Sequence, residues 1–177
     1  PDSLAGLPLD HFPIIMSYGP LWGILSAGVA TLSGPHVLAI AILFKVVLAG
    51  AWVGTLALIV RLLDARPPIE RCLAIVMFGW MPASVSQTLA EGHNDIVMVS
   101  LAVLWLFVLL RGWKTAPVAL VGAALCKYVT GPLLVIDLIH ALRVERASLR
   151  QYIARLTPSA LLAEGFLSIF YRLPQFF

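Results

Sequence analysis

The chain has 177 residues, of which 60% are hydrophobic and only 12% charged, and its mean hydropathy is +0.96. A soluble domain carries about twice that share of charge, so this composition excludes a soluble enzyme, a disordered chain and a collagen-like fibre. The net charge of +3 brings no basic patch interleaved with aromatics, so no nucleic-acid partner is expected. The expected fold is all-α: a polytopic transmembrane helical bundle with a short interfacial or re-entrant helix and a broken helix pair.

Residues 1–17 are Pro-rich and polar in part (Asp2, Asp10, His11), which reads as a loop outside the hydrocarbon. Tyr18-Gly19-Pro20-Leu21-Trp22 then opens an apolar stretch to about Leu32, closed by Ser33-Gly34-Pro35. That stretch is shorter than the about 20 residues a span needs. It fits an interfacial helix with Tyr18 and Trp22 at headgroup level. His36 to Leu63 is long enough to cross, with Lys45 inside it. A charged turn from Arg61 to Arg71 follows, and Cys72 to Ala90 carries no charge. It reads as a span kinked at Pro82. Glu91-Gly92-His93-Asn94-Asp95 makes a polar turn before the span Ile96 to Leu110.

Residues 116–142 hold Lys127 and a Thr130-Gly131-Pro132 breaker. Arg111 and Lys114 precede them, and Arg143, Arg146, Arg150 and Arg155 follow. Basic residues on both flanks place both ends inside. The segment is therefore expected as two short helices, about 116–127 and 132–142, with Lys127 and Tyr128 at the outer tip. Another span is expected from Leu156 onward. The chain starts at Pro1 without an initiator methionine and ends in an apolar run. It reads as one membrane domain, 1–177, of a longer protein: a loop and interfacial helix over 1–35, then transmembrane helices over 36–177, the last cut short.

This orientation puts nine of the twelve Lys and Arg residues in or beside inner loops. Three polar clusters then share the outer face: Tyr18-Gly19-Pro20, Glu91 to Asp95, and Lys127-Tyr128. A charge in an embedded segment costs about 2.5–3.5 kcal/mol on insertion scales, so each cluster is a candidate site. Each also has a plain reading. Asn94 or Asp95 suits the cap of the next helix, which leaves Glu91 and His93 unexplained. Lys127 either snorkels to the interface or holds a phosphate or carboxylate beside the broken helix. Tyr18 and Trp22 would serve as an ordinary anchor. His93 with Asp95 is too thin a ligand set to support a metal. Cys72 and Cys126 have no metal-ligand spacing, and no disulfide is expected. Asp137 and His140, one turn apart near the inner side, read as a structural pair. The residues alone support a membrane protein with a polar outer cavity.

In order, the Tyr-Gly-Pro-Leu-Trp turn, the Gly-His-Asn-Asp turn, and Ala123-Ala124-Leu125-Cys126-Lys127-Tyr128 followed by Gly131-Pro132 resemble the polyprenol-phosphate-sugar-dependent glycosyltransferases of the GT-C superfamily. The bacterial mannosyltransferase-like branch is the most similar, over about residues 13–142. The resemblance implies a multi-pass plasma-membrane hexosyltransferase with its site on the extracytoplasmic side. The donor would be a polyprenyl-phosphate sugar such as mannose, and the acceptor a glycan or glycolipid. No cofactor is implied. The catalytic aspartate would lie upstream of Pro1, so no catalytic residue is assigned within 1–177, and the chain would be inactive alone. Substrate-binding roles fall on Tyr18, Glu91, His93, Asn94, Asp95, Lys127 and Tyr128, with Lys127 offsetting the donor phosphate. The alternative is a transporter or flippase for a lipid-linked or anionic substrate, since broken helices serve transporters too.

Overall fold

A computed structural model describes residues 18–172, with side chains to Ser168. Among these residues every regular element is helical. The proline-rich stretch 1–17 lies outside the described residues.

The first helix, α1, is Pro20–Ser33. Pro20 at its first position is pre-set for a helix start, and Gly34, at φ 59°, ends it. Helix α2 is Val37–Leu62, the one described helix long and apolar enough to cross a membrane alone. Helix α3, Pro68–Gly79, begins four residues before the expected start at Cys72. The reason is local: Pro68 suits the first turn, and Glu70 there faces the positive end of the helix dipole. Helix α4, Pro82–Val85, runs into a π-helical turn, Ser86–Glu91. The chain bends by 52° between α3 and this pair. The kink expected at Pro82 is there, with Trp80 and Met81 as the break.

Helix α5 is Asp95–Leu110 and α6 is Ala116–Cys126. A 3₁₀ turn, Tyr128–Thr130, leads to α7, Leu133–Arg143. The segment 116–142 is thus two short helices about a break, as the flanking charges require. Helix α8, Leu149–Arg172, starts before the expected Leu156. Ser148 and Gln151 explain this. The Ser148 amide donates to Gln151 Oε1 at 2.8 Å, and the Gln151 amide donates to Ser148 Oγ at 3.2 Å. This reciprocal capping box is a helix start, legible in the spacing Ser148-x-x-Gln151.

By length, α1, α5 and α6 are apolar but fall short of a full span, at 14, 16 and 11 residues. Length alone therefore carries one crossing, or two if the bent α3–α4 pair is one span. The larger number of crossings read from the sequence assumed that an apolar run bounded by charge is a full span. The helices are shorter than that.

Helices α5 and α6 pack as an antiparallel pair around Trp105, Val108, Ala116 and Leu120. Helix α2 joins α5 through hydroxyls: Thr55 Oγ1 and Ser100 Oγ lie 2.6 Å apart, and Ser100 Oγ also donates to the Ala51 carbonyl at 2.9 Å. Small hydroxyl residues of this kind let apolar helices approach and bond. Two ties then fix α7. Lys127 Nζ donates to Asp95 Oδ1, and ten residues further along each segment Trp105 Nε1 donates to Asp137 Oδ1 at 2.6 Å. The chain after Lys127 therefore returns alongside α5 in the same direction.

Asp137 is 2% exposed and also accepts from the Tyr152 hydroxyl at 3.1 Å. His140 does not pair with Asp137; its Nε2 is 3.7 Å from Glu145 Oε1. The structural pairing expected at these two residues is with other elements instead. Asp137→Ala orphans the buried Trp105 donor and leaves the Tyr152 hydroxyl only the Leu134 carbonyl at 3.4 Å, each lost partner costing about 1–3 kcal/mol. It is expected to lower stability by about 3 kcal/mol, read as thermal unfolding in detergent, while Asp137→Asn loses less. Equal midpoints for wild type and Asp137→Ala would refute the role.

Candidate functional site: a polar cavity at the ends of α1, α5 and α6

Three separate stretches build one site. The first contact is backbone to backbone. The Gly19 amide donates to the Cys126 carbonyl at 2.9 Å, tying the start of α1 to the end of α6. A Cβ on Gly19 would stand 2.0 Å from the Leu125 carbonyl oxygen, so only glycine permits this approach. Tyr18 is thereby held beside Lys127, whose Nζ lies 6.0 Å from the Tyr18 ring centroid, at the limit of a cation–π contact.

Lys127 does not snorkel away from the fold. It reaches Asp95 Oδ1 at 2.5 Å, with the side chains 36% and 40% exposed. Asp95 is the first residue of α5, where a carboxylate also faces the positive end of the helix. Asn94 is the cap residue, 7% exposed, but its side chain makes no capping bond. The capping reading thus fits the position of Asn94 and leaves its amide uncommitted to the helix.

Gly92, at φ 79°, turns the chain out of the π-helical segment. The His93 amide closes this turn on the Gln87 carbonyl at 2.8 Å. Glu91 faces His93 at 3.1 Å and accepts from Ser86 Oγ at 3.2 Å. Together Tyr18, Trp22, Glu91, Gly92, His93 and Asn94 line an open cavity of about 300 Å³. Trp22 is steadied from behind by Phe44, ring centroids 5.6 Å apart.

Six of the seven expected binding residues therefore meet here or beside it: Tyr18, Glu91, His93, Asn94, Asp95 and Lys127. Tyr128 does not line the cavity and is 63% exposed. The 3₁₀ turn after Lys127 rotates it away.

The partner of Lys45 is not legible in the sequence. Its Nζ donates to the carbonyls of Leu89 and Ala90, each at 2.5 Å. These are carbonyls at the end of the π-helical turn, where backbone acceptors lack intrahelical donors. Lys45 thus braces the segment that carries Glu91 and His93, from a helix 44 residues upstream in its nearer partner. The one available signal was an embedded charge without an acidic residue at helical spacing.

A family model described as alpha-(1->6)-mannopyranosyltransferase, N-terminal domain, matches residues 15–143. The chain belongs to this family. The match takes in all three clusters and every residue lining the cavity, and it stops where α7 ends. No curated protein and no solved structure matches the chain. Among the described residues, no group of three or more His, Cys, Asp and Glu side chains is placed to hold a metal.

The cavity's polar groups are of the kind that hydrogen-bond hydroxyls. Glu91 offers a carboxylate, Asn94 an amide with both donors and an acceptor, and His93 a ring nitrogen. Tyr18 and Trp22 add aromatic faces, the usual apolar complement to a few placed polar groups. Lys127 supplies a cation at the edge, held in place by one carboxylate that an incoming anion would share or displace.

Proposed function

We propose that this chain is the substrate-binding part of a membrane mannosyltransferase that takes mannose from a polyprenyl-phosphate carrier and delivers it to a glycan or glycolipid on the extracytoplasmic face. The observation that carries this reading is the meeting of Lys127 with a cavity of hydroxyl-binding groups, inside a segment that belongs to a mannopyranosyltransferase family. Lys127 balances the charge of the leaving phosphate. Phosphate departs without a strong acid, so a cation and an acceptor base suffice. This reading assigns the base to no residue within 1–177.

The membrane reading is supported by surface chemistry as well as by α2. Leu38, Ile42, Val46 and Val53 on α2, Ile69, Val76 and Met77 on α3, and Val135, Ile136 and Ile139 on α7 are all exposed. So much outward apolar surface is costly in water and suits lipid. Basic residues cluster at the α2–α3, α5–α6 and α7–α8 connections, and the cavity lies at the opposite ends of α5 and α6. The positive-inside rule supports an extracytoplasmic cavity.

The test is transfer of radiolabelled mannose from polyprenyl-phosphate mannose by the full-length protein in membranes, given crude lipid and glycan acceptors. Label in a new product, lost in Lys127→Ala, supports the proposal. No transfer from this donor, nor from its glucose and arabinose analogues, would move the reading to a transporter. The 52° bend between α3 and the α4 segment suits that reading as well.

A further inference from the structure

At the other end of α6 from Lys127, a second cavity of about 710 Å³ opens between the start of α6, the α7–α8 connection and the first turns of α8. Lys114, Arg146 and Arg155 line it, with Glu145 as the acidic member. Glu145 is committed to Arg155, its ion-pair partner, with His140 nearby. Among the described residues, Lys114 and Arg146 have no carboxylate within 4 Å. Among the described residues, two cations thus face one cavity without an ion-pair partner.

Arg146 has a second peculiarity. It holds φ at 54°, the one described non-glycine residue in the left-handed region. That conformation costs an arginine of order 1 kcal/mol, and such strain gathers at ligand sites. Here it turns the α7–α8 connection so that Arg146 joins the cavity wall.

The cavity does not end in polar surface. Val118 belongs to it, and Val121, one turn further along α6, belongs to an apolar groove of about 400 Å³. On α8 the cavity takes Ala154 and Pro158, while the groove takes the adjoining stripe Tyr152, Leu156 and Ala160. Leu134 and Leu138 of α7 close the groove. A basic cavity and an apolar groove thus lie beside one another on the same two helices, the pair of surfaces that one anionic amphiphile needs.

We propose that this is a binding site for an anionic phospholipid of the inner leaflet. Its phosphate lies between Lys114 and Arg146, and one acyl chain lies along α6 and α8. The site is distinct from the sugar cavity at the far end of α6, and α8, which completes it, lies beyond the residues the family model matches. The choice of leaflet rests on the orientation proposed above; the lipid chemistry rests on the two cavities alone.

The test uses the full-length protein in neutral detergent, given equal phosphatidylglycerol and phosphatidylcholine, with retained lipid counted by native mass spectrometry. Phosphatidylglycerol should be retained about tenfold or more over phosphatidylcholine, as two basic groups near an anionic headgroup warrant. The preference should vanish in Lys114→Gln/Arg146→Gln, persist in Arg146→Lys, and persist in Lys127→Gln. Arg146→Gly relieves the backbone while removing the charge, so it should fold at least as well as wild type and still lose the preference. Equal retention of both lipids would overturn the proposal, as would an unchanged preference in the double variant. Loss of preference in Lys127→Gln would place the lipid at the sugar cavity and overturn it too. Displacement by glycerol phosphate at equal concentration would reassign the site to a free phosphate compound. Absent mannose transfer with the lipid preference intact would sink the transferase reading and leave this one standing.

Discussion

Gly19→Ala is expected to abolish sugar transfer and to cost about 3 kcal/mol of stability, the sum of overpacking and one lost backbone hydrogen bond. The new methyl would stand 2.0 Å from the Leu125 oxygen and 2.6 Å from its carbonyl carbon. Both atoms are backbone at the end of a helix, so neither can yield as a flexible side chain would. The start of α1 must leave the end of α6, and the 2.9 Å bond from Gly19 to Cys126 breaks. Tyr18 then leaves Lys127, and the cavity loses one wall. Gly28→Ala is the control. A Cβ there meets nothing within 4 Å, and alanine in mid-helix should add about 0.5–1 kcal/mol. The measurements are thermal unfolding in detergent and mannose transfer in membranes. If both variants behave as wild type, the docking of α1 on α6 is wrong.

Lys127→Ala is the second large effect: turnover should fall by about 100-fold or more, with insertion and folding retained. The contrast with Asp95→Asn carries the argument. The pair is more than a third exposed on both sides, so its contribution to stability is about 1 kcal/mol or less. Were Lys127 only a partner for Asp95, the two variants would lose the same small stability and the same activity. If Lys127 instead faces the donor phosphate, Asp95→Asn leaves the cation in place and costs much less turnover. Equal turnover in both variants, whatever its size, would remove the phosphate role. Asp95→Lys/Lys127→Asp keeps a pair but moves the cation onto α5, and it should not recover transfer.

Helix positions were legible because an apolar run between charges is a local pattern. The break at Trp80-Met81-Pro82 and the turn at Thr130-Gly131-Pro132 were legible for the same reason. Counting basic residues on both flanks of 116–142 identified the return of α7, a fact about folding read from charge. The number of full crossings is not carried by length: α5, read as a span, has 16 residues, while α6 was expected short and has 11. The start of α8 was missed although Ser148-x-x-Gln151 announces it. What no local pattern carries is partnership across the fold. Lys45 with Leu89 and Ala90, Trp105 with Asp137, and Gly19 with Cys126 join segments 32 to 107 residues apart. Order along the chain nominated Tyr18, His93 and Lys127 together, while only packing shows that Tyr128 is turned aside. The inner cavity went unnoticed because arginines in a loop had a sufficient reading as topology signals.

The shortness of α5 has a consequence for the bilayer. From Leu110 to Asp95 the helix rises about 24 Å, against hydrocarbon about 30 Å thick. On the proposed orientation, with Arg111 at the inner boundary, the Asp95–Lys127 pair lies about 6 Å below the outer one. Either water fills a funnel down to the pair, or the lipid around it thins to meet it. If the donor is the proposed carrier phosphate, it would have to descend from headgroup level toward the lysine, and the host membrane's thickness would become a kinetic variable. Bilayers of shorter acyl chains would ease that descent, and thicker ones would hinder it, with no residue changed.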